Sequence, residues 1–256
     1  DFLVSKGASL ESRDFDEKSV VDDIVEIIAI TKGLKKINPA LAPLINMDEK
    51  YDILLKKVLT YRPNIETRRL DGKNILFDLV LYNDFETLKT IINYGLNVNI
   101  RDKNGRTPLM YMVEEGLKLK DKKLRDSFIE RLVNFLKYRV SVDVQDLDGR
   151  TVIHKAVIAN DLLVVEKLLT KKADLTLKDI HGRTALHHTQ WHGNYKIARW
   201  LMYNRNPKNK KVAKFFKERE KNLDRLLIND IGDIKMQGAL EEVVENLKKE
   251  INEVLI

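Results

Sequence analysis

The sequence predicts an all-α fold of stacked helix–turn–helix units, and three observations lead to this prediction. Four similar stretches carry Gly72, Gly105, Gly149 and Gly182, which lie 33, 44 and 33 residues apart. Each glycine follows turn-forming residues and precedes, by two positions, a Thr or Asn that favours a helix start. The following segments place apolar residues at three- and four-residue intervals. Self-similarity at this period is typical of a solenoid.

The repeated stretches resemble the ankyrin repeat, whose pattern runs D-x-x-G-x-T-P-L-H-x-A, then a second helix, then G-A-D-V-N. "DKNGRTPLMYM" at 102–112 and "DIHGRTALHHT" at 179–189 match the first part. "YGLNVNIRD" at 94–102 and "KKADLTLKD" at 171–179 match the closing part. The resemblance implies an ankyrin-repeat solenoid with two insertions, each between the two helices of a unit.

The resemblance divides the chain into an ankyrin-repeat domain, 1–207, and a C-terminal helical segment, 208–256. Within the first, the predicted divisions are a truncated first unit, a degenerate unit 14–69 with an insertion near 32–50, and units 70–101, 102–145 (insertion near 116–127), 146–178 and 179–207. Thr107, Thr151 and Thr184 are predicted helix caps, with Asn74 and Ser19 in the same position elsewhere. Glu17 replaces the turn glycine, and Arg62, Arg139, Lys172 and Arg205 replace the helix-ending glycine.

The C-terminal segment carries apolar stripes on two predicted helices, around 212–227 and 235–255. We expect a helical hairpin that caps the exposed apolar end of the solenoid, as terminal units require. The alternative is a coiled-coil or partner-binding helix that offers the same stripe.

The composition limits the chemistry. The chain of 256 residues has no Cys, which excludes disulfides, thiolate zinc sites and cysteine nucleophiles. A net charge of +7 with 33% charged residues suits either a solvated Lys-rich surface or an acidic partner, nucleic acid or anionic lipid. No apolar run reaches the length of a membrane span. A cytoplasmic location is favoured. We expect further residues of the protein upstream of Asp1, so the sequence makes no prediction about an N-terminal signal.

The histidines raise a metal hypothesis that the sequence does not support. His188 and His192 have the i, i+4 spacing of helix-borne ligands, but "HHTQWH" has no third ligand and lacks the Glu of H-E-x-x-H. The resemblance instead implies that His154 and His187 fix neighbouring turns by hydrogen bonds. No phosphate-binding loop, nucleophile elbow or dinucleotide motif is present. We therefore predict no enzymatic activity and no cofactor.

The resemblance implies a protein partner that binds the concave face formed by turn tips and first helices. The turn-tip positions are Leu70, Asp71 and Lys73; Lys103, Asn104 and Arg106; Leu147, Asp148 and Arg150; and Ile180, His181 and Arg183. The predicted partner-binding residues are Lys73, Tyr82, Lys103, Arg106, Tyr111, Glu115, Arg150, Lys155, His181, Arg183, His188, Trp191 and His192.

Two features of this face suggest how a partner is held. Lys73, Arg106, Arg150 and Arg183 all follow the turn glycine, so stacking would align cations that either steer an acidic segment or only keep the tips soluble. Tyr82, Tyr111 and Trp191 are candidate anchors, although Trp191 could instead pack under the C-terminal hairpin. The predicted function is a protein-interaction module, monomeric apart from its partner. The alternative is nucleic-acid or anionic-surface binding through the Lys-rich C-terminal helix and the 118–125 insertion.

Overall fold

The structure is a computed structural model that describes residues 9–37, 48–81, 85–191, 194, 196–198 and 201. The residues within these ranges form α-helices joined by turns, with no β-strand among them. The chain divides into two compact units, Asp1–Asp148 and Gly149–Ile256. The prediction of an all-α fold of helix–turn–helix units is confirmed. The predicted C-terminal hairpin, 208–256, lies outside the described residues.

The described residues of the first compact unit, Asp1–Asp148, form three helix pairs. The helices are α1 (Val20–Ile37), α2 (Asp48–Thr60), α3 (Ile75–Leu79), α4 (Phe85–Tyr94), α5 (Pro108–Leu117) and α6 (Lys122–Phe135). The two helices of each pair, α1 and α2, α3 and α4, and α5 and α6, contact each other, and α3 lies between α1 and α5. The buried core includes Ile28, Leu55, Phe77, Leu109 and Phe128. Burial of these side chains against neighbouring pairs stabilises helices that are too short to persist alone.

The second unit repeats this arrangement on a smaller scale. Its described helices are α7 (Val152–Ile158), α8 (Leu162–Leu169) and α9 (Ala185–Trp191). Helix α7 packs against both α8 and α9. Ile153, Val157, Val165 and Leu168 are fully or almost fully buried there.

The predicted caps begin the first helices. The side chain of Thr107 accepts a hydrogen bond from the Met110 backbone N–H at 3.3 Å, and Pro108 occupies the first helical turn. Asn74 accepts from the Leu76 N–H at 3.1 Å. Ser19 and Asp22 form a reciprocal capping box, with Asp22 Oδ2 accepting from the Ser19 N–H at 2.8 Å.

Several positions where the repeat expects glycine keep a left-handed backbone with another residue, but Arg139 does not have a positive φ, and Arg205 lies outside the described residues. Gly72, Gly105, Gly149 and Gly182 have φ between 70 and 79°, and Glu17, at the equivalent place, has φ 61°. After the second helices, Arg62 and Lys172 have φ 54° and 56°. An L-residue with a Cβ is disfavoured there by about 1–2 kcal/mol relative to its usual conformation. Conformations that glycine favours are therefore preserved at a cost in stability.

Replacing Lys172 by Gly is expected to raise the free energy of unfolding by about 1 kcal/mol, because glycine adopts positive φ without a Cβ clash. Lys172 is exposed and follows α8. Lys172→Ala is the matched control, since it removes the same long side chain but keeps the Cβ, and it should show no such gain. Urea unfolding of the three proteins measures the difference; equal stability of the Gly and Ala variants would contradict it.

The predicted insertion near 116–127 lengthens helices. Helix α5 continues to Leu117 and α6 begins at Lys122, so only four residues link the pair. Asp121 caps α6 by accepting from the Leu124 N–H at 2.9 Å. Around the other predicted insertion, α1 continues to Ile37 and α2 begins at Asp48, and residues 38–47 lie outside the described part of the chain. The unit boundaries themselves stay a prediction.

Candidate partner-binding surface

The turns that carry the predicted contact residues share one backbone geometry. In the turn at 102–106 the Asp102 N–H donates to the Arg106 carbonyl at 2.9 Å, and the Gly105 N–H donates to the Asp102 carbonyl at 2.9 Å. Asp102 Oδ1 also accepts from the N–H groups of Asn104 and Arg106. The turn that begins at Asp179 repeats these bonds. An Asp at this position therefore organises the turn through its own side chain.

Neighbouring turns of the first unit are joined to one another through their backbones. The Lys103 N–H donates to the Asp71 carbonyl at 3.1 Å, and the Leu147 N–H donates to the Asn104 carbonyl at 3.0 Å. A Cβ at Gly72 or Gly105 would come within 3.1 Å of atoms of the next turn. The three turn tips that carry Asp71, Lys103 and Leu147 are thus held in a fixed register.

The cations that follow the turn glycine are bound to carboxylates of the same chain. Arg106 contacts Asp102 Oδ2 at 2.8 Å and Glu114 Oε2 at 3.0 Å. Lys73 Nζ lies 3.0 Å from Asp71 Oδ2, and in the second unit Arg183 lies 3.2 Å from Asp179. Burial alone would lower the pKa of Arg106, but these carboxylates raise it above its usual value. The positive charges are therefore partly neutralised before any partner arrives.

Tyr111 lies at the centre of a small half-buried cluster. Lys73 Nζ is 4.5 Å from the ring centroid and Arg106 Cζ is 5.5 Å from it. Phe77 approaches the ring with a centroid distance of 5.7 Å. Two cations facing one aromatic ring hold the phenol side chain in place. Tyr111 is an aromatic residue of the kind that anchors interfaces, positioned by its own neighbours.

His154 joins two turns of the second unit. Its Nδ1 lies 3.2 Å from the Thr151 backbone nitrogen and 2.8 Å from the Thr151 hydroxyl, and its Nε2 lies 3.3 Å from the Arg183 carbonyl. Because Nδ1 accepts from a backbone N–H, the proton belongs on Nε2, which donates to that carbonyl. Burial lowers the pKa of His154 to about 4. His187 makes the same contacts with Thr184.

His188 is buried and bound within its own repeat. Its side chain is 4% exposed, and Nε2 lies 3.0 Å from Asp179 Oδ2. Burial alone would raise the pKa of Asp179, but hydrogen bonds from Arg183, His188 and His181 hold that pKa well below its ordinary range. The imidazole of His188 therefore stabilises the turn. Because the ring is buried, a partner at the surface would not contact it.

The remaining predicted contact residues differ in their surroundings. Lys103 and His181 are exposed at turn tips. Glu115 is paired with Lys118 at 2.6 Å, and Arg150 and Lys155 are half-buried with interactions of their own. Tyr82, His192 and the side chain of Trp191 lie outside the described part of the chain.

The basic segment 118–125 has a mixed environment. Lys118 is paired with Glu115, and Arg125 donates to the Gly116 carbonyl at 2.8 Å while lying over the Phe128 ring.

Within the described ranges, no cluster of three His, Asp or Glu could hold a metal ion, and no helix is long and apolar enough to cross a membrane.

Two family models match the chain. A model described as ankyrin repeats (3 copies) matches residues 125–212, and one described as ankyrin repeats (many copies) matches residues 76–116. The matched residues include the turns at 102–106 and 179–183, whose geometry is the same. The chain belongs to the ankyrin-repeat family. Ankyrin repeats are generally protein–protein interaction modules and typically not enzymes.

Relatives carry the same repeats in proteins of different length. A protein of Rickettsia bellii named as an ankyrin repeat protein is 25% identical over 178 residues, which is 68% of this chain and 92% of that protein. An ankyrin repeat protein of Acanthamoeba polyphaga mimivirus is 23% identical over 59% of this chain, and the chicken nuclear factor NF-kappa-B p105 subunit is 25% identical over 58%. The matches span only 19% and 15% of those two longer proteins.

The ankyrin turns also expose apolar side chains. Phe15, Leu70, Leu147 and Ile180 occupy the same position, directly after the first residue of a turn, and all four are largely exposed. Leu70, Leu147 and Ile180 were named as turn-tip positions, although the predicted partner-binding residues include none of the four. The position is apolar in each of these turns and is lysine in the turn with Lys103.

Proposed function

We propose that this ankyrin-repeat chain is a non-enzymatic protein-interaction module whose partner contacts the turn tips and the adjoining residues of the first helices. The observation that carries the proposal is the joining of successive turn tips by backbone hydrogen bonds in the first unit. These bonds fix the tips in register, so little ordering entropy is lost when a partner binds. Side chains at the tips then form a preorganised surface.

Within the first unit, the proposed surface comprises Lys73, Lys103, Arg106, Tyr111 and Glu115. Lys103 is exposed at a tip, and Tyr111 is held nearby by Lys73 and Arg106. In the second unit, Arg150 and Arg183 follow a turn glycine as Arg106 does, Lys155 occupies the position of Tyr111, and His181 lies at a turn tip next to its glycine. His188 is left out as a contact because its ring is committed to Asp179.

No described contact favours nucleic-acid binding as a second function. In the segment 118–125, Lys118 and Arg125 have partners within the chain, and Lys208–Lys221 lie outside the described residues.

Charge reversal at one tip is expected to separate binding from folding. Lys103→Glu should reduce capture of the partner at least tenfold in quantitative affinity purification, because it places a new charge in the centre of the surface. Lys89→Glu is the matched control, since Lys89 is also exposed but lies on the second helix α4. Both variants should unfold at the wild-type temperature.

The comparison has a clear negative outcome. A partner that is lost equally with both variants, or with neither, would contradict the assignment of this face. Failure of the wild-type chain to retain any protein in a saturable manner would contradict the proposed function itself.

A further inference from the structure

Three turn tips of the first unit carry an exposed apolar side chain, and the tip between Leu70 and Leu147 carries Lys103 instead. Phe15 is fully exposed, Leu70 is 66% exposed and Leu147 is 68% exposed. All three occupy the same position of the turn, the residue after Asp14, Arg69 or Asp146. Single exposed apolar residues are ordinary on protein surfaces, whereas their recurrence at one structural position marks a candidate interaction site. We name Phe15, Leu70 and Leu147 the apolar tip row.

Each residue of the apolar tip row is followed by an aspartate. These are Asp16, Asp71 and Asp148, and all three are exposed. Asp71 pairs with Lys73, yet its side chain remains 51% exposed against 18% for the lysine. The outermost side chains of these tips are therefore apolar and acidic.

Cations of the same turns are set back from the tips. Lys18 is held by Glu26 at 2.6 Å, and Lys73 is held by Asp71 at 3.0 Å. The side chains of Lys18 and Lys73 are 22% and 18% exposed. A partner approaching the tips thus meets apolar groups and carboxylates before it meets these ammonium groups.

The spacing of the tips suits one continuous segment of a partner. The backbone bonds from Lys103 to Asp71 and from Leu147 to Asn104 hold three successive tips in register, at a pitch of about 10 Å, the usual width of a packed helix. A chain in the extended polyproline II conformation advances about 3.1 Å per residue and has three residues per turn. Every third residue of such a segment lies on the same side, about 9 Å farther along, and would therefore face a new tip.

Taking the proposed protein-binding function as its basis, we infer that the apolar tip row binds an extended protein segment that combines apolar side chains with Lys or Arg. The apolar side chains contact Leu70 and Leu147, and the cations pair with Asp71 and Asp148. Lys103 lies at the middle tip, so the residue facing it is polar or acidic. This partner has the opposite charge from the acidic segment that the basic residues of the sequence suggested.

A displayed library of random 12-residue peptides, selected on the full 256-residue chain, tests this inference. The enriched peptides are expected to contain apolar residues together with an excess of Lys and Arg. The tightest of them should bind at least tenfold more weakly to the Leu70→Ser/Leu147→Ser variant, measured by fluorescence polarisation, because truncation of central apolar contacts removes much of the binding energy.

Leu124→Ser supplies the matched control. Leu124 is 53% exposed but lies in α6, away from the turns, so this variant should bind the peptide as the wild-type chain does. Thermal unfolding of all variants should be unchanged because the substituted side chains are exposed.

Each other result overturns the inference in a distinguishable way. Enrichment of acidic peptides, or equal loss with Leu124→Ser, would refute the apolar tip row while leaving protein binding by this chain intact. A wild-type dimer in sedimentation that the double variant abolishes would assign the row to a second copy of the chain. Absence of any enriched peptide would count against both this inference and the proposed function.

Discussion

Gly149→Ala is expected to lower the free energy of unfolding by about 3 kcal/mol, whereas Gly182→Ala should lower it by only about 1 kcal/mol. Both glycines have a left-handed backbone, with φ 70° and 73°. A Cβ at Gly149 would lie 2.8 Å from the Ile180 nitrogen and 3.0 Å from the Asp179 carbonyl carbon, whereas a Cβ at Gly182 would meet no atom of the described residues within 4 Å. Backbone atoms cannot move aside as a flexible side chain does, so only Gly149→Ala forces neighbouring turns apart.

Urea unfolding of the two variants measures this difference directly. The strain from positive φ is nearly the same at both glycines and cancels in the comparison. The remaining difference reports the cost of separating the turns at 149 and 179–180. Equal losses of stability in the two variants would contradict close stacking at Gly149.

Acidification from pH 7.5 to pH 5 is expected to cost about 2 kcal/mol of stability through His154 alone, given an ordinary histidine pKa near 6.5. In the folded chain the pKa of His154 is lowered to about 4 by burial. His154 Nδ1 accepts a hydrogen bond from the Thr151 backbone N–H. Protonation of Nδ1 would point a second N–H at that donor. The folded state therefore resists protonation.

The loss of folding stability on acidification follows from proton linkage. Below about pH 6.5 the unfolded chain protonates this histidine and the folded chain does not, so stability is full above that pH and falls as the pH approaches 4. His188, Asp179, Arg150 and Arg183 are the charged or titratable groups around His154. Burial also lowers the pKa of His188, so its contribution has the same sign.

His154→Gln tests the assignment. A glutamine amide can accept from the Thr151 N–H and donate to the Arg183 carbonyl, as in a Thr–Gln capping box, but it does not titrate. The variant should lose most of the stability change between pH 7.5 and 5, measured as the free energy of unfolding in urea. His181→Gln, at an exposed tip, is the control and should keep the wild-type profile. An unchanged profile in His154→Gln would contradict the role of His154.

The sequence alone was sufficient for the features that depend on local chemistry. Thr107, Asn74 and Ser19 cap helices because short polar side chains bond the free N–H groups of the first turn. Glu17 could be placed at a glycine position from spacing, and its φ of 61° agrees. Such features require only neighbours in the chain, and for that reason the pattern predicts them well.

Two features that sequence reasoning missed depend on which side chains pair between a turn and the helix that follows it, eight or nine residues apart. His188 was grouped with His192 by its i, i+4 spacing, but its partner is Asp179, nine residues earlier, across the turn. The sequence suggested that the cations after the turn glycines were available to a partner. It does not show that Arg106 pairs with Glu114, because that contact depends on how the turn packs against the helix. The extra residues near 116–127 could equally have formed a loop, and packing of Phe128 against Gly116 favours helices.

The ion pairs of Arg69 make the order of the repeats matter. Arg69 occupies the turn position held elsewhere by Asp102 or Asp179, and it pairs with Asp78 and approaches Asp22 of the preceding repeat at 3.9 Å. Asp22 and Asp102 are both buried. Removing residues 69–101 would bring Asp102 into the place of Arg69 and set two buried carboxylates together, which is unfavourable while both are charged. Shortening the series of repeats by one at this point, by recombination or by engineering, is therefore expected to destabilise the chain unless Asp22 is exchanged as well.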